Sequence, residues 1–366
     1  MVNWLIVGWG TWSVSRHFSS PTSQIPDAQL PAVSILKPLK GVDEGLADNL
    51  ESFFKIDYPS FEIIFSVSNP QEPALEVLVP LLKKYPNVNT HLLYSSKSVG
   101  PNPKINNLLC AYEKAESDLV LISDSNIRVE PAYLRRLIPD LKSSIGIITA
   151  VVAGTEPSGL GGYLEASYLN TFFARWMFIT RDLGFESVVG KSMLFRKSTA
   201  DRFGGLKTLG CYIAEDYMAG HAMKKLDLKV DLMRSPIRQY LGNYSFRSFW
   251  NRHLRWGRIR KAIAPMAFLI EPFFLTTVSG ALGAFALNQI TGLSVFIFWF
   301  VHLLVWCLSD IYLNHLVDRF SWKSVGAWWL REFLAFPLWL GILGGNKVHW
   351  RGKNYQLLKG GLVQGV

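Results

Sequence analysis

Three groups of residues have the types and spacing to do chemistry. The first is Asp124-Ser125-Asn126, at the end of a β-rich run over residues 119–124. In open α/β sheets the carboxyl ends of strands line the ligand crevice, and an acid there is placed to hold a divalent cation. Mg²⁺ and Mn²⁺ take oxygen ligands and bridge one or two carboxylates to a diphosphate; a strand-end Asp also serves as a turn or cap residue. The second group is Ala214-Glu215-Asp216-Tyr217, which opens a helix predicted over 215–225. Acids in a first helical turn suit the helix dipole, and a carboxylate held in a cleft against a hydroxyl is what a general base requires. The third is Arg252-His253-Leu254-Arg255-Trp256. Two arginines three apart share a helix face and can clamp a diphosphate from one side.

The elements that must position these groups alternate between short β-rich runs and helical patterns from about residue 20 to 262, which reads as an α/β layer fold. Strands are predicted over 33–37, 61–68, 119–124, 146–152 and 188–196. Helices are predicted over 44–54, 74–84, 105–115, 131–141, 163–179 and 215–225. There is no internal repeat. Cys110, Cys211 and Cys307 are too far apart for a zinc pattern or a disulfide framework, and are expected as buried free thiols.

The 366 residues carry 38 basic and 28 acidic side chains, a formal charge of +10, with 18% charged and 49% hydrophobic residues. A soluble domain carries about 25% charged residues, so solvent-facing residues are short, and the deficit lies at the ends. Residues 290–309 hold no Asp, Glu, Lys or Arg, and about 20 such residues span a bilayer core. With 268–287 before them and a tight link at 288–291, they predict a membrane hairpin. Residues 326–345 are interrupted by Arg331, Glu332 and Pro337 and are expected to dip into the membrane or lie along it. Residues 1–14 read as a short anchor with its Arg16 end in the cytoplasm, not as a signal peptide. The expected organisation is an anchor over 1–19, a cytoplasmic catalytic domain over 20–245 and a basic interfacial helix over 246–262. Membrane helices over 263–346 and a basic tail over 347–366 complete it. The basic stretches, Arg247 to Lys261 and Lys347 to Lys359, lie beside apolar segments, so they point to anionic membrane lipids or a phosphate-bearing ligand and not to nucleic acid.

Together with their flanking strings, the three groups resemble the ceramide glucosyltransferase family, membrane enzymes of family 21 related to family 2. The strings are Ser34-Ile35-Leu36-Lys37-Pro38-Leu39-Lys40-Gly41, Asn102-Pro103-Lys104-Ile105-Asn106-Asn107-Leu108, Asp124-Ser125-Asn126-Ile127-Arg128-Val129, Tyr212-Ile213-Ala214-Glu215-Asp216-Tyr217 and the tail around Trp350-Arg351. The resemblance runs from about Val33 to Gly361. It implies a GT-A fold, a Rossmann-like α/β domain with a mixed, mostly parallel sheet, followed by transmembrane or interfacial helices. It implies inverting transfer of glucose from UDP-glucose to the primary hydroxyl of ceramide, with Mg²⁺ or Mn²⁺ at Asp124. Lys37 and Pro38 would floor the uridine site, Lys104 and Asn107 would face the nucleotide-sugar, and Arg252, Arg255 and Trp256 would close over the diphosphate. Asp216 would be the base, with Glu215 beside it. The family places an Asp at the end of the second strand; here Asn69 stands there, which keeps hydrogen bonding and loses the charge. A hopanoid-directed transferase using a UDP-N-acetylhexosamine resembles the pattern too. A polysaccharide synthase, with Gln in place of Arg252, and a non-catalytic nucleotide-sugar or lipid sensor fit less well. An integral membrane protein with its catalytic domain in the cytoplasm, in a bacterial inner membrane, is expected.

Overall fold

The computed structural model describes residues 2–350 and 352–365; Arg351, expected beside Trp350 in a returning tail, lies outside them. In chain order the first elements are α1 (Val2–Phe18), β1 (Val33–Pro38), α2 (Leu46–Phe54), β2 (Phe61–Val67), α3 (Ala74–Lys84) and β3 (Thr90–Tyr94). Then come α4 (Pro103–Lys114), β4 (Leu119–Ser123), β5 (Ile127–Arg128), α5 (Tyr133–Leu137), β6 (Ile145–Thr149) and β7 (Val152–Ser158). Helix α6 (Gly159–Ser167) runs through a π-helical turn, Tyr168–Phe173, into α7 (Ala174–Asp182). After it lie β8 (Ser192–Arg196), α8 (Lys197–Asp201), α9 (Glu215–Lys224), β9 (Lys229–Leu232) and β10 (Ile237–Asn243). The C-terminal part holds α10 (Phe246–Ile263), α11 (Pro265–Ile270), α12 (Thr276–Thr291), α13 (Val295–Val317) and α14 (Trp322–Leu343), then β11 (Lys347–Trp350), β12 (Lys353–Leu357) and β13 (Val363–Gly365).

These elements group into two compact units. A sheet unit comprises Ser19–Ala153 and Thr180–Tyr240; a helical unit comprises Met1–Phe18, Gly154–Ile179 and Leu241–Val366. The segment Gly154–Ile179, expected inside the catalytic domain, thus groups with the terminal helices.

The sheet unit is built on seven strands in the order β3-β2-β1-β4-β8-β6-β9. Strands β3, β2, β1 and β4 run parallel, β8 is antiparallel to β4 and β6, and β9 is parallel to β6. Continuous apolar runs make strands covered on both faces, and Ile35, Leu36, Ile63, Ile64, Phe65, Val120, Leu121 and Ile122 are all fully buried. Helix α4 covers one face, setting Ile105 and Leu108 against Leu36, Ile64 and Ile122. Strand order reverses at β1, with β2 on one side and β4 on the other, which opens a crevice at their carboxyl ends. Because β8 runs the other way, the loop before it opens at that same edge. The strand expected over 188–196 therefore starts only at Ser192, and the run 146–152 divides between β6 and β7.

In the helical unit α1 lies against α13: Val7 meets Trp306, Cys307 and Trp328, and Trp4 Nε1 donates to His302 Nδ1 at 2.9 Å. Among the described residues one helix, Val295–Val317, is long and apolar enough to cross a membrane; Pro265–Phe274 and Thr276–Thr291 pass the same test as a pair bent by 61°. The hairpin link covers residues 292–294, directly after the 288–291 expected. Helix α12 continues to Thr291 because Gly292, in the left-handed region, caps it. Most of segment 326–345 lies in helix α14, which ends at Leu343. Its charges are buried inside the unit: Arg331 pairs with Glu332 and Asp310, and its Nη1 donates to Ser167 O at 2.6 Å and Thr171 Oγ1 at 2.5 Å. The guanidinium thus meets the backbone where α6 passes into the π-helical turn, the kind of insertion that accompanies such turns.

The tail folds as an antiparallel sheet, β11-β12-β13, and several basic residues expected to face lipid or phosphate are engaged internally. Arg258 donates to Lys347 O at 2.8 Å, and Lys261 caps α14 through the carbonyls of Ile342, Leu343 and Gly345 at 2.9, 3.1 and 2.7 Å. All three cysteines are free, yet only Cys307 is buried; Cys110 is half-buried and Cys211 exposed.

One close approach holds the loops around the crevice. A Cβ on Gly100 would stand 2.3 Å from Gly210 O, beside the bond from Asn102 N to Gly210 O at 2.9 Å. Gly100→Ala is expected to destabilise the sheet unit by about 1–3 kcal/mol through overpacking, whereas Gly8→Ala, in open space inside α1, is expected to leave stability equal or up to about 1 kcal/mol higher through helix propensity. Thermal unfolding of the two variants in the same detergent checks this; equal midpoints would mean the loops separate freely.

Candidate functional site

At the crevice the chain brings four expected residues together around one ammonium group. Asn102-Pro103 starts α4: Pro103 occupies the first turn, and Asn102 Oδ1 accepts from Lys104 N at 2.8 Å and Ile105 N at 3.2 Å, an N-cap with proline just inside it. The cap fixes Lys104, whose Nζ lies 2.9 Å from Asp124 Oδ1 and 3.0 Å from Glu215 Oε1, and donates to Gly190 O at 3.0 Å. Burial works against this ammonium, but Asp124 and Glu215 outweigh it and hold its pKa above the ordinary lysine value.

The two acids that open α9 are treated differently. Glu215 is buried, with one oxygen on Lys104 and the other accepting from Asn102 Nδ2 at 3.0 Å. Asp216 makes no ion pair among the described residues; its oxygens accept from Gly190 N and Tyr217 N, both at 2.8 Å. Burial, and then the charge on Glu215, push the Asp216 carboxyl up to about 6, against the pull of Lys104 and the two amides. Gly190 passes between these groups, and a Cβ on it would stand 3.0 Å from Lys104 Nζ and 3.1 Å from Asp216 Oδ2.

Asp124 follows β4 and is partly exposed. A second lysine flanks it: Lys191 Nζ is 3.7 Å from Asp124 Oδ2 and donates to Asn126 Oδ1 at 3.0 Å. Asp124 and Asn126 present hard oxygen atoms at the strand end, while among the described residues no three His, Cys, Asp or Glu side chains gather as a metal cluster. That donor set fits a Mg²⁺ or Mn²⁺ ion bound mainly through ligand oxygens and water, not an all-protein cage.

Other expected residues have structural partners that account for them. Lys37 is fully buried beneath Asp124; its Nζ donates to Asp124 O at 2.8 Å and sits 3.5 Å from the Phe53 ring centroid. Burial lowers its pKa well below the ordinary value. Its ammonium supports the Asp124 backbone; Pro38 follows it, half-buried, at the strand end. Asn107, expected to face the nucleotide-sugar, is also buried, and spends its amide on Leu39 O and Ser66 O at 3.2 and 3.0 Å, tying the ends of β1 and β2 together. Asn69 is exposed and closes its own turn, accepting from Gln71 N at 2.9 Å. The buried carboxylate after β2 is Glu72, which accepts from Gly41 N at 2.5 Å. Sequence reasoning missed Glu72 and Lys191; Glu72-Pro73 ahead of α3 was the available signal for the first.

Arg252, Arg255 and Trp256 belong to the helical unit. Arg252 is held by the fully buried Glu165, with Nε 3.2 Å from Oε1, and lies over Trp256 at 4.3 Å from its ring centroid. His253 takes the other oxygen of Glu165 at 2.9 Å. Arg255 is half-buried on the same helix.

A raised carboxylate pKa is a folding cost at neutral pH. With the carboxyl raised from 3.8 to about 6, the ionised Asp216 costs about 3 kcal/mol above pH 6, and the penalty disappears below the unfolded value. Asp216→Asn gives up one accepted hydrogen bond, at about 1 kcal/mol, so a net gain of about 1–2 kcal/mol is expected near pH 7.5. The gain fades as pH falls from 6 to below 4. Chemical denaturation across that range checks it, and equal stability at pH 7.5 would remove the buried-carboxylate account.

The family model described as glycosyl transferase family 21 matches residues 1–363. The chain is 32% identical to ceramide glucosyltransferase 1 of Caenorhabditis elegans over 346 residues, 93% of this chain and 74% of that one. It is 26% identical to the ceramide glucosyltransferase of Komagataella phaffii, over 96% of this chain and 87% of the other. Among solved structures, a mannosyltransferase from Pyrobaculum calidifontis in complex with GDP-Man and Mn²⁺ superposes with a TM-score of 0.54 at 15% identity, covering 91% of this chain and 95% of that one. That last likeness is one of fold, and it agrees with the GT-A architecture.

Proposed function

The chain belongs to glycosyltransferase family 21, and on that premise we propose that it transfers glucose from UDP-glucose to the primary hydroxyl of ceramide. The reaction is a single displacement at the anomeric carbon with inversion, giving a β-glucoside. The observation that carries the reading is the unequal treatment of two adjacent acids: Glu215 is spent on Lys104 and Asn102, while Asp216 keeps a pKa near 6. A base tuned toward neutrality is what deprotonation of an alcohol during attack requires. The ceramide glucosyltransferases similar to this chain support the acceptor.

In this mechanism Asp216 takes the proton from the acceptor hydroxyl, oriented by the amides of Gly190 and Tyr217. Lys104 and Lys191 present positive charge at Asp124, where the diphosphate departs, and such fixed charge stabilises a leaving anion without reorganisation. Asp124 would hold Mg²⁺ or Mn²⁺, which when bound neutralises charge on the diphosphate. Within the helical unit Glu165 pre-sets Arg252 over Trp256. Helices 263–346 anchor the chain among membrane lipids, with the catalytic residues on the cytoplasmic side, as a donor made in the cytoplasm requires.

The direct experiment incubates the purified chain with labelled UDP-glucose and ceramide, beside a panel of UDP-sugars crossed with diacylglycerol and a hopanoid. Glucosylceramide as the principal product supports the proposal; a product only with another pair overturns it. Asp216→Asn is expected to lower turnover by about 10²–10⁴ with UDP binding nearly unchanged. The wild-type rate should fall as pH drops below about 6, and Lys104→Gln should move that limb upward, because Lys104 favours the ionised carboxylate. A flat profile over pH 5–7 would reassign Asp216 to capping α9.

Asp124→Ala is expected to abolish the Mn²⁺-dependent part of UDP-glucose affinity, leaving the lysines alone on the phosphates. Calorimetric titration with and without Mn²⁺ checks this, and an undiminished metal effect in the variant would place the ion elsewhere.

A further inference from the structure

The direction of β8 brings a lysine to the carboxyl end of β4. Because β8 runs antiparallel to β4, with Ser192 opposite Ser123, the residue before β8 falls opposite the residue after β4. Asp124 N accordingly donates to Lys191 O at 3.4 Å. Side chains paired across antiparallel strands lie close enough to interact. Lys191 Nζ reaches both oxygen donors at the strand end, Asn126 Oδ1 at 3.0 Å and Asp124 Oδ2 at 3.7 Å. The lysine is buried, and a buried ammonium requires such partners.

Two ammonium groups therefore divide Asp124 between them, and they are held differently. Lys104 commits its three protons to Asp124 Oδ1, Glu215 Oε1 and Gly190 O, at 2.9, 3.0 and 3.0 Å. Drawing it away would strand the buried Glu215. Lys191 stands beyond hydrogen-bond length from the carboxylate, and its bond at 3.0 Å goes to a neutral amide. Its departure from these oxygens leaves Asp124 still paired with Lys104.

A divalent cation at this strand end requires the same atoms. With Lys104 on Oδ1, the hard oxygens left to it are Asp124 Oδ2 and Asn126 Oδ1. Two positive groups within about 4 Å repel strongly where water is sparse, so cation and ammonium oppose each other at that pair. A diphosphate relieves the conflict, because its oxygens accept from an ammonium and also ligate a cation.

We propose that Lys191 is a resident competitor for the divalent cation. It holds Asp124 Oδ2 and Asn126 Oδ1 in the free chain and exchanges them for phosphate oxygens when a nucleoside diphosphate binds. Cation and donor then bind well only together. The inference rests on the proposed placing of both at Asp124, and adds the residue that makes the two binding events cooperative.

The test titrates the full chain in detergent with Mn²⁺, with and without saturating UDP. Free Mn²⁺ is read by electron paramagnetic resonance, after allowing for Mn²⁺ held by UDP in solution. Lys191→Met, of near-equal length and no charge, is expected to bind Mn²⁺ alone about tenfold more tightly, a typical size for such coupling. Mn²⁺ affinity in saturating UDP should stay as in the wild type, which also reports that the variant is folded. The factor by which UDP tightens Mn²⁺ thus falls about tenfold and, by reciprocity, so does the factor by which Mn²⁺ tightens UDP. Lys191→Arg, which keeps the charge, should keep the wild-type coupling, and Lys191→Gln repeats the measurement should Lys191→Met fail to fold. Unchanged affinity for Mn²⁺ alone in the folded neutral variants overturns the inference, as does Lys191→Arg behaving like them. No turnover enters these titrations. The expected pattern in a chain that forms no glucosylceramide counts against the proposed reaction alone, and product formation with unchanged Mn²⁺ affinity counts against Lys191 alone.

Discussion

The ammonium of Lys104 is the constraint on which the candidate site depends. Three carboxylates, Asp124, Glu215 and Asp216, come from two distant parts of the chain to one edge of the sheet. Charges of one sign at such spacing repel strongly in a low-dielectric setting. One buried lysine in contact with two of them, at 2.9 and 3.0 Å, makes the assembly possible. A buried ammonium without partners costs several kcal/mol, so the lysine requires the acids as much as they require it. The surroundings follow from that mutual need. Asn102 caps α4 and binds Glu215 with the same side chain, and Gly190 lacks the Cβ that would part Lys104 from Asp216.

Asp216 is the member that this arrangement leaves short of positive charge, and its elevated pKa is the consequence. Chemistry and stability are opposed at this residue: the burial that makes the carboxylate basic also opposes folding at neutral pH. Glu215, one residue earlier, shows that the sequence position does not decide the outcome. Both acids occupy the first turn of α9, and what separates them is which partners reach each oxygen.

The helical unit solves a related problem by a different route. Residue counting treats Arg331, Glu332 and Pro337 as interruptions, a charge at the centre of a span being penalised by about 2.5–3.5 kcal/mol. In the fold Arg331 and Glu332 meet Asp310 of α13 and the carbonyl of Ser167 inside the unit, within a 22-residue helix whose length residue counting did not foresee. The strands β1, β2 and β4 were legible because their apolar runs are buried on both faces and need no distant partner to be read. Helix α3 was legible to the residue. Strand β3 was not, because its polar Thr90 and His91 make sense only in register with β2. Asp124 and Asp216 could be named from type and spacing; the structural duties of Lys37 and Asn107 could not, since each is defined by carbonyls far away in sequence.

The same electrostatics bear on how a donor would affect its own base. A diphosphate at Asp124, so far as a bound cation leaves its charge uncompensated, draws on Lys104 and Lys191 and shares the field that Lys104 exerts on Asp216. Each increment of that field withdrawn from Asp216 favours its protonated form and raises its pKa, so the carboxylate becomes a stronger base when the donor is present. The increase has a limit, because a carboxylate raised well above the working pH is protonated and takes no proton. A value near 6 in the free chain leaves room for such a rise before that limit is reached at neutral pH. Two carboxylates on one lysine, with a third beside them, thus couple the donor side of the crevice to the basicity of the acceptor side without any movement of the backbone.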